Sequence, residues 1–359
     1  MKLLTPFLLF LALGAAVAQA PNEVALAPKG FRSPLRMNNG NQVTTAEEWK
    51  ARRAEILATW HGIMGEWPPL IERPAIELVE STQREDITQR KVRIQLAKDQ
   101  WFDGYTLHPK GSGPFPAVFV PYYDPETSVG LSDKPLRDFA WQLAKRGFVA
   151  LAIGSPGGDA RKPVMPTGTR CQPLSFLAYL SANAWHALAA MPEVDRSRIG
   201  ITGHSYGGKW SLFGSCLWDK YACAAWSDPG IVFDETRASI NYQEPWYLGL
   251  DAEITRAPGL VRAESPRTGA YKVLMERGHN LHELHVLMAP RPFLVSGGAE
   301  DPPKRWSALF WALEVNKLLG FNDRVAMTNR EKHDPNEESN AAIYDFFVKW
   351  LGQPGNAPK

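Results

Sequence analysis

Cysteine is scarce in this chain: Cys171, Cys216 and Cys223 are the whole supply. Three thiols allow one intrachain bridge at most, so no disulfide framework holds the fold. Cys216 and Cys223 are near enough in sequence to pair in an exported protein, but buried free thiols are the expected state. An excess of either charge is missing too. Forty Lys and Arg residues face 38 Asp and Glu, a net charge of +2, which gives nucleic acid or an anionic surface no electrostatic hold. There is no internal repeat, no low-complexity segment and no composition shift of the kind that marks a linker.

What the chain does have is apolar bulk. Of its 359 residues 44% are hydrophobic, with 13 Trp and 16 Phe, enough to bury a large core. Residues 1–18 read as a secretory signal. Lys2 gives the positive start, residues 3–13 the apolar stretch, and Ala16-Val17-Ala18 a small-residue cleavage site. Pro21 would crowd a cut after Ala20, so cleavage is expected after Ala18. The apolar stretch is short and poorly flanked for a membrane span, and no cysteine near the cut offers a lipid anchor. A secreted or periplasmic protein without a stable membrane anchor follows. Residues 19–44, rich in Pro, Gly and Asn between 21 and 42, form a lead-in, and 45–352 a single α/β domain.

Thr45, with Glu48 three residues on, marks a helix start that runs to Trp60. Alternating residues at 76–80 and 91–96 predict outer antiparallel strands with one solvated face. Residues 115–120 are continuously apolar, hence a central strand. From there helices at 138–145, 174–191, 306–318 and 341–351 alternate with strands at 148–153, 198–202, 222–226, 292–296 and 324–327. Such alternation predicts a mostly parallel sheet with helices on both faces, built from right-handed crossovers. Residues 231–280 break the rhythm as an insertion carrying Tyr242, Trp246 and Tyr247. Its length suits either a functional loop or a cover over apolar sheet.

The chemistry concentrates at Gly203-His204-Ser205-Tyr206-Gly207. An apolar strand precedes this pentapeptide and a helical segment, Gly208-Lys209-Trp210-Ser211-Leu212-Phe213, follows it. A serine between glycines at such a strand-to-helix turn is a nucleophile elbow, its hydroxyl thrust out of the sheet edge. Serine needs a base to take its proton. Four histidines follow: His279, His282, His285 and His333. Only His333 lies in a polar loop after the last strand, which brings it to the carboxyl edge where Ser205 points. The other three lack the His-Glu-x-x-His spacing of a zinc peptidase and read as capping or packing residues, so no metal is expected.

The orienting acid has two candidates. Asp301, beside Glu300 and before Pro302, follows the strand at 292–296 and is the first choice. Asp228 follows the strand before it, within the turn former Asp228-Pro229-Gly230. Backbone N–H groups must meet the developing oxyanion. One is expected from Tyr206 and the other from the loop after 115–120, at Tyr122 or Tyr123.

Residues 118–350 are similar to the α/β-hydrolase superfamily and in detail resemble its glucuronoyl-esterase-like branch, with acetyl xylan esterase relatives. Residues 203–209 match that branch's Gly-x-Ser-x-x-Gly-Lys elbow. The resemblance implies that Lys209 contacts a uronic sugar and that Asp228 stands where many members carry a catalytic glutamate. The segment 284–292 resembles the approach to the branch's seventh strand. One position departs: the branch usually carries Arg after the nucleophile, and this chain has Tyr206. The run 193–199 with the elbow equally resembles dienelactone hydrolases and prolyl-oligopeptidase catalytic domains.

The expectation is an exported serine hydrolase for acyl or glucuronoyl esters of plant-type polysaccharide, needing no metal or organic cofactor. Ser205 attacks, His333 carries the proton, and Asp301 or Asp228 orients the imidazole. Two rivals stand beside it: a serine peptidase of the prolyl-oligopeptidase or dienelactone-hydrolase type, and an inactive binding protein on the same fold.

Overall fold

A computed structural model describes residues 29–352, so the signal segment 1–18 lies outside the described residues. Among the described residues nine strands make one sheet: β1 (Ile76–Arg84), β2 (Ile87–Ala97), β3 (Gln100–Pro109), β4 (Phe115–Pro121), β5 (Val149–Ile153), β6 (Val194–His204), β7 (Cys223–Ser227), β8 (Phe293–Gly297) and β9 (Val325–Asn329). Their order is β1-β2-β3-β5-β4-β6-β7-β8-β9. The first three pair antiparallel and β3 joins β5 antiparallel, whereas every pair from β5 to β9 is parallel.

The parallel strands are apolar on both faces because helices cover both. In β4 and β5, Phe119, Val149, Leu151 and Ile153 face the helices Ala46–Met64, Pro173–Ala189 and Tyr206–Leu217. Val118, Val120, Ala150 and Ala152 alternate to the opposite face, against Phe139–Ala144 and Glu337–Leu351. The first helix opens on the expected capping box of Thr45 and Glu48. The last opens four residues earlier than expected, on a box of Asn336 and Ser339.

Three features of the fold were not anticipated. β1 is exposed along almost its whole length on both faces, where one covered face was expected. β3 went unread, since Gly104 and Asp103 interrupt its apolar pattern, yet it is the strand through which the antiparallel part joins the parallel one. The segment 231–280 contains the helix Gly269–Glu276, and its Tyr242 and Tyr247 are buried. The three cysteines are free and buried, which pushes the Cys171 thiol up to about 11 and Cys216 up to about 12. No described helix is long and apolar enough to cross a membrane.

Candidate active site

Ser205 sits between β6 and the helix Tyr206–Leu217 with φ 57° and ψ −113°, a backbone conformation that side chains other than glycine's rarely take. Its neighbours make that turn sterically feasible. A Cβ on Gly203 would lie 2.5 Å from the Gly207 carbonyl oxygen, and one on Gly207 would lie 2.2 Å from the Pro121 oxygen. The elbow therefore presses against the end of β4, and only glycine fits at either side.

His333 reaches Ser205 from the loop after β9. Its Nε2 is 2.8 Å from the Ser205 Oγ, and its Nδ1 is 2.7 Å from an Asp228 carboxylate oxygen. Because Asp228 accepts, the Nδ1 proton belongs to that bond and Nε2 is left to accept from the serine. Arg330 fixes the loop: it donates to the carbonyls of His333 at 2.6 Å, Asp334 at 2.8 Å and Ser296 at 3.0 Å. His204 lies tilted against His333, ring centroids 4.7 Å apart, with its Nδ1 3.1 Å from the Ser227 hydroxyl. Burial first, and the charges of His333 and Arg330 next, hold its pKa well below the usual histidine range, so it stays neutral.

The two acids divide. Asp228, itself at φ 48°, accepts from the backbone N–H groups of Gly298 (2.6 Å), Asp301 (2.9 Å) and Glu300 (3.1 Å) as well as facing His333. Asp301, the first choice from sequence, turns the other way. Its carboxylate accepts from the N–H groups of Gly230 at 2.8 Å and Ile231 at 2.7 Å, and none of its hydrogen bonds goes to the imidazole. The reason is local: its own N–H is committed to Asp228, which directs its side chain to the loop after β7. Each acid thus clamps the other's loop. Burial, reinforced by the adjacent Asp228 carboxylate, pushes Asp301 up to about 7.

Of the two residues expected to offer a second backbone donor, Tyr122 has its N–H committed to the Ile153 oxygen at 3.1 Å, which leaves Tyr123 as the candidate. The Tyr123 ring packs edge-on against Tyr122 at 5.0 Å and leans on Tyr206, the residue after the serine, at 4.9 Å. The Tyr206 N–H opens a helix, where no carbonyl of that helix can accept it. Lys209 is buried with its Nζ 5.1 Å from the Tyr242 ring centre and 5.7 Å from that of Tyr247. Burial lowers its pKa, opposed by the carboxylates of Glu300, Asp301 and Asp228. The remaining histidines pack elsewhere: His279 on Glu283 at 2.7 Å, His282 on the Arg32 carbonyl at 2.7 Å, His285 between Trp226 and Phe293.

The fold has counterparts among solved structures. A glucuronoyl esterase from Solibacter usitatus superposes with a TM-score of 0.67 over 91% of this chain and 99% of its own, at 18% identity. That from Teredinibacter turnerae gives 0.64 over 89% and 88%, also at 18% identity. A Sporotrichum thermophile glucuronoyl esterase, in complex with methyl 4-O-methyl-β-D-glucopyranuronate, gives 0.57 over 91% and 89% at 17% identity. The fold is the α/β-hydrolase fold. No family model matches the sequence, and no curated protein matches it either. Within the hydrolase fold, Arg330 and His204 are the site residues that sequence reading missed. Both were visible as polar residues inside segments already singled out, 329–335 and the elbow pentapeptide.

Proposed function

We propose that this chain is a serine hydrolase of carboxylic esters that acts on carbohydrate. The observation that carries the reading is the unbroken relay from Ser205 through His333 to Asp228, with spacings of 2.8 and 2.7 Å. As an ester carbonyl approaches, the Ser205 oxygen bonds to its carbon while the hydroxyl proton passes to His333 Nε2. Asp228 stabilises the imidazolium without taking its proton, and three backbone N–H groups keep its charge oriented. The Tyr206 N–H faces the oxyanion. Collapse expels the alcohol, which takes the proton from Nε2, and water then repeats the sequence to release the acid.

For the substrate we infer a sugar-acid ester, or an acyl ester on a polysaccharide. Two features support this. Lys209 holds a buried cation beneath the faces of Tyr242 and Tyr247, a cation set among aromatic rings that suits a sugar acid. The structures it resembles are glucuronoyl esterases, one of them with a methyl glucuronate bound. The signal read at residues 1–18 would export the enzyme, leaving the single domain 45–352 to act outside the cytoplasm.

The test compares the native enzyme with Ser205→Ala on p-nitrophenyl acetate, acetylated xylan and a methyl or benzyl glucuronate ester. Ser205-dependent release from the glucuronate ester supports a uronoyl esterase, and acetate release alone a deacetylase. Absence of any Ser205-dependent turnover would sink the ester-hydrolase reading.

A further inference from the structure

Behind the relay lies a second layer of polar residues, and each member stands close in the chain to one of the relay's own. His204 precedes Ser205, Ser227 precedes Asp228, and Arg330 comes three residues before His333. All three are buried. His204 and Ser227 are register partners at the ends of the parallel strands β6 and β7. The His204 Nδ1 is 3.1 Å from the Ser227 hydroxyl, and that hydroxyl accepts from Arg330 Nη2 at 3.3 Å. The same Nη2 donates to the His333 carbonyl at 2.6 Å, while Nη1 and Nε donate to the carbonyls of Ser296 and Asp334. One guanidinium thus ties the His333 loop to the ends of β7 and β8.

A ring contact closes this layer onto the relay. The His204 ring lies against that of His333, with centroids 4.7 Å apart and planes at 39°. His333 is held through Nδ1 by Asp228 at 2.7 Å and reaches Ser205 through Nε2 at 2.8 Å. Those two bonds leave from opposite sides of the ring, so they fix its place but not its rocking about the line between them. The His333 side chain is 36% exposed, and His204 packs against its covered part. Burial, joined by the charges of His333, Arg330 and Arg137, holds the His204 pKa well below the usual histidine range, so the face it presents is neutral.

We propose that His204 is a positioning residue of the reaction, its neutral ring held by Ser227 and Arg330 against His333, where it opposes rocking of the catalytic imidazole and stabilises the charge that ring takes up; the proposal rests on the hydrolase reading above. As the Ser205 Oγ bonds to the carbonyl carbon, its proton moves to His333 Nε2. Collapse returns that proton to the leaving alcohol, and water repeats the cycle on the acyl-enzyme. Between uptake and return His333 is a cation, and an aromatic face within ~6 Å attracts a cation. Before attack and after release both rings are neutral and only pack. The contact is therefore stronger in the transition state than on either side of it, the condition for raising kcat rather than affinity. A charged His204 would repel the imidazolium, so the burial that keeps it neutral belongs to the same device. Arg330 serves this device twice, through the His333 carbonyl and through the Ser227 hydroxyl.

His204→Leu keeps apolar bulk and removes the aromatic face, whereas His204→Phe keeps a face without the ring nitrogens. Steady-state kinetics on p-nitrophenyl acetate and a methyl glucuronate ester, with thermal melting in parallel, separate the two roles. On each ester the native enzyme cleaves, His204→Leu should lower kcat ~10-fold with KM held. His204→Phe should recover most of that loss. A residue that only fills space would give both variants the same kcat, and that result, or a change confined to KM, overturns the proposal. Should His204→Leu melt early, Ser227→Ala decides. It deletes one hydroxyl, frees the His204 ring to turn and should lower kcat ~2–10-fold at native KM, and an unchanged kcat overturns the proposal equally. If the native enzyme shows no Ser205-dependent turnover, the hydrolase reading itself fails and the proposal falls with it, a result distinct from an active enzyme indifferent to His204→Leu.

Discussion

At the scale of single residues, the two aspartates show how one atom's commitment reassigns chemistry. Both follow core strands at the carboxyl edge, and in sequence both stand before a proline, Pro229 and Pro302, so the local pattern does not separate them. What separates them in space is the backbone: three N–H groups turn Asp228 to His333, and two others turn Asp301 to residues 230 and 231. Substitution should expose the division. In the proposed mechanism Asp228→Asn leaves His333 with a partner unsuited to its working tautomer, and kcat for an ester should fall ~10⁴-fold with the protein still folded. Asp301→Asn should leave activity far higher than that. Its amide can accept only in part, so its cost falls on the fold, ~1–3 kcal/mol from a backbone N–H left unsatisfied. Urea melts and kcat measured on both variants distinguish the two, and equal losses of kcat would contradict the division. Ser205 and His333 could be singled out from sequence because each stands beside a strand end within a polar or glycine-rich segment. The choice between the acids could not, since it depends on which way two adjacent loops cross.

At the scale of elements, the parallel strands were legible because their apolar runs are continuous and helices follow them. β3 was not, because its aromatics straddle Asp103 and Gly104, and its identity comes from pairing with β2 and β5 rather than from its own pattern. β1 misled in the opposite sense, since its alternation of Ile76 and Leu78 with charged residues promises a covered face that the structure does not supply. The elbow joins the two kinds of element most tightly. Gly207 touches the Pro121 carbonyl, so adding one carbon there must push the helix Tyr206–Leu217 off the end of β4. Gly207→Ala should therefore cost ~1–3 kcal/mol in chemical denaturation and move Ser205 away from His333, lowering kcat beyond what the stability loss explains. A variant with native stability and native kcat would show that the contact relaxes without consequence.

At the scale of the whole molecule, the buried Asp301 links stability to pH. Its folded pKa of about 7 lies above the ordinary aspartate value, so between the two the folded protein binds a proton that the unfolded chain gives up. That contribution is full below ~3.9 and is lost as pH rises toward about 7. The direction is opposite to that of carboxylates held low by partners, such as Asp195 with Ser197 and Arg198. Melting temperatures of native protein and Asp301→Asn across this window should converge as pH rises, and parallel curves would contradict the assignment. The left-handed backbone of Ser205 carries a second consequence for the molecule as a whole. Glycine occupies that conformation without strain, whereas serine costs ~1–3 kcal/mol there. Ser205→Gly should accordingly melt above the native protein while hydrolysing nothing. Selection for thermal endurance alone, with no demand for turnover, would drift away from the nucleophile first, so an inactive descendant of this chain should be recognisable by its hardiness.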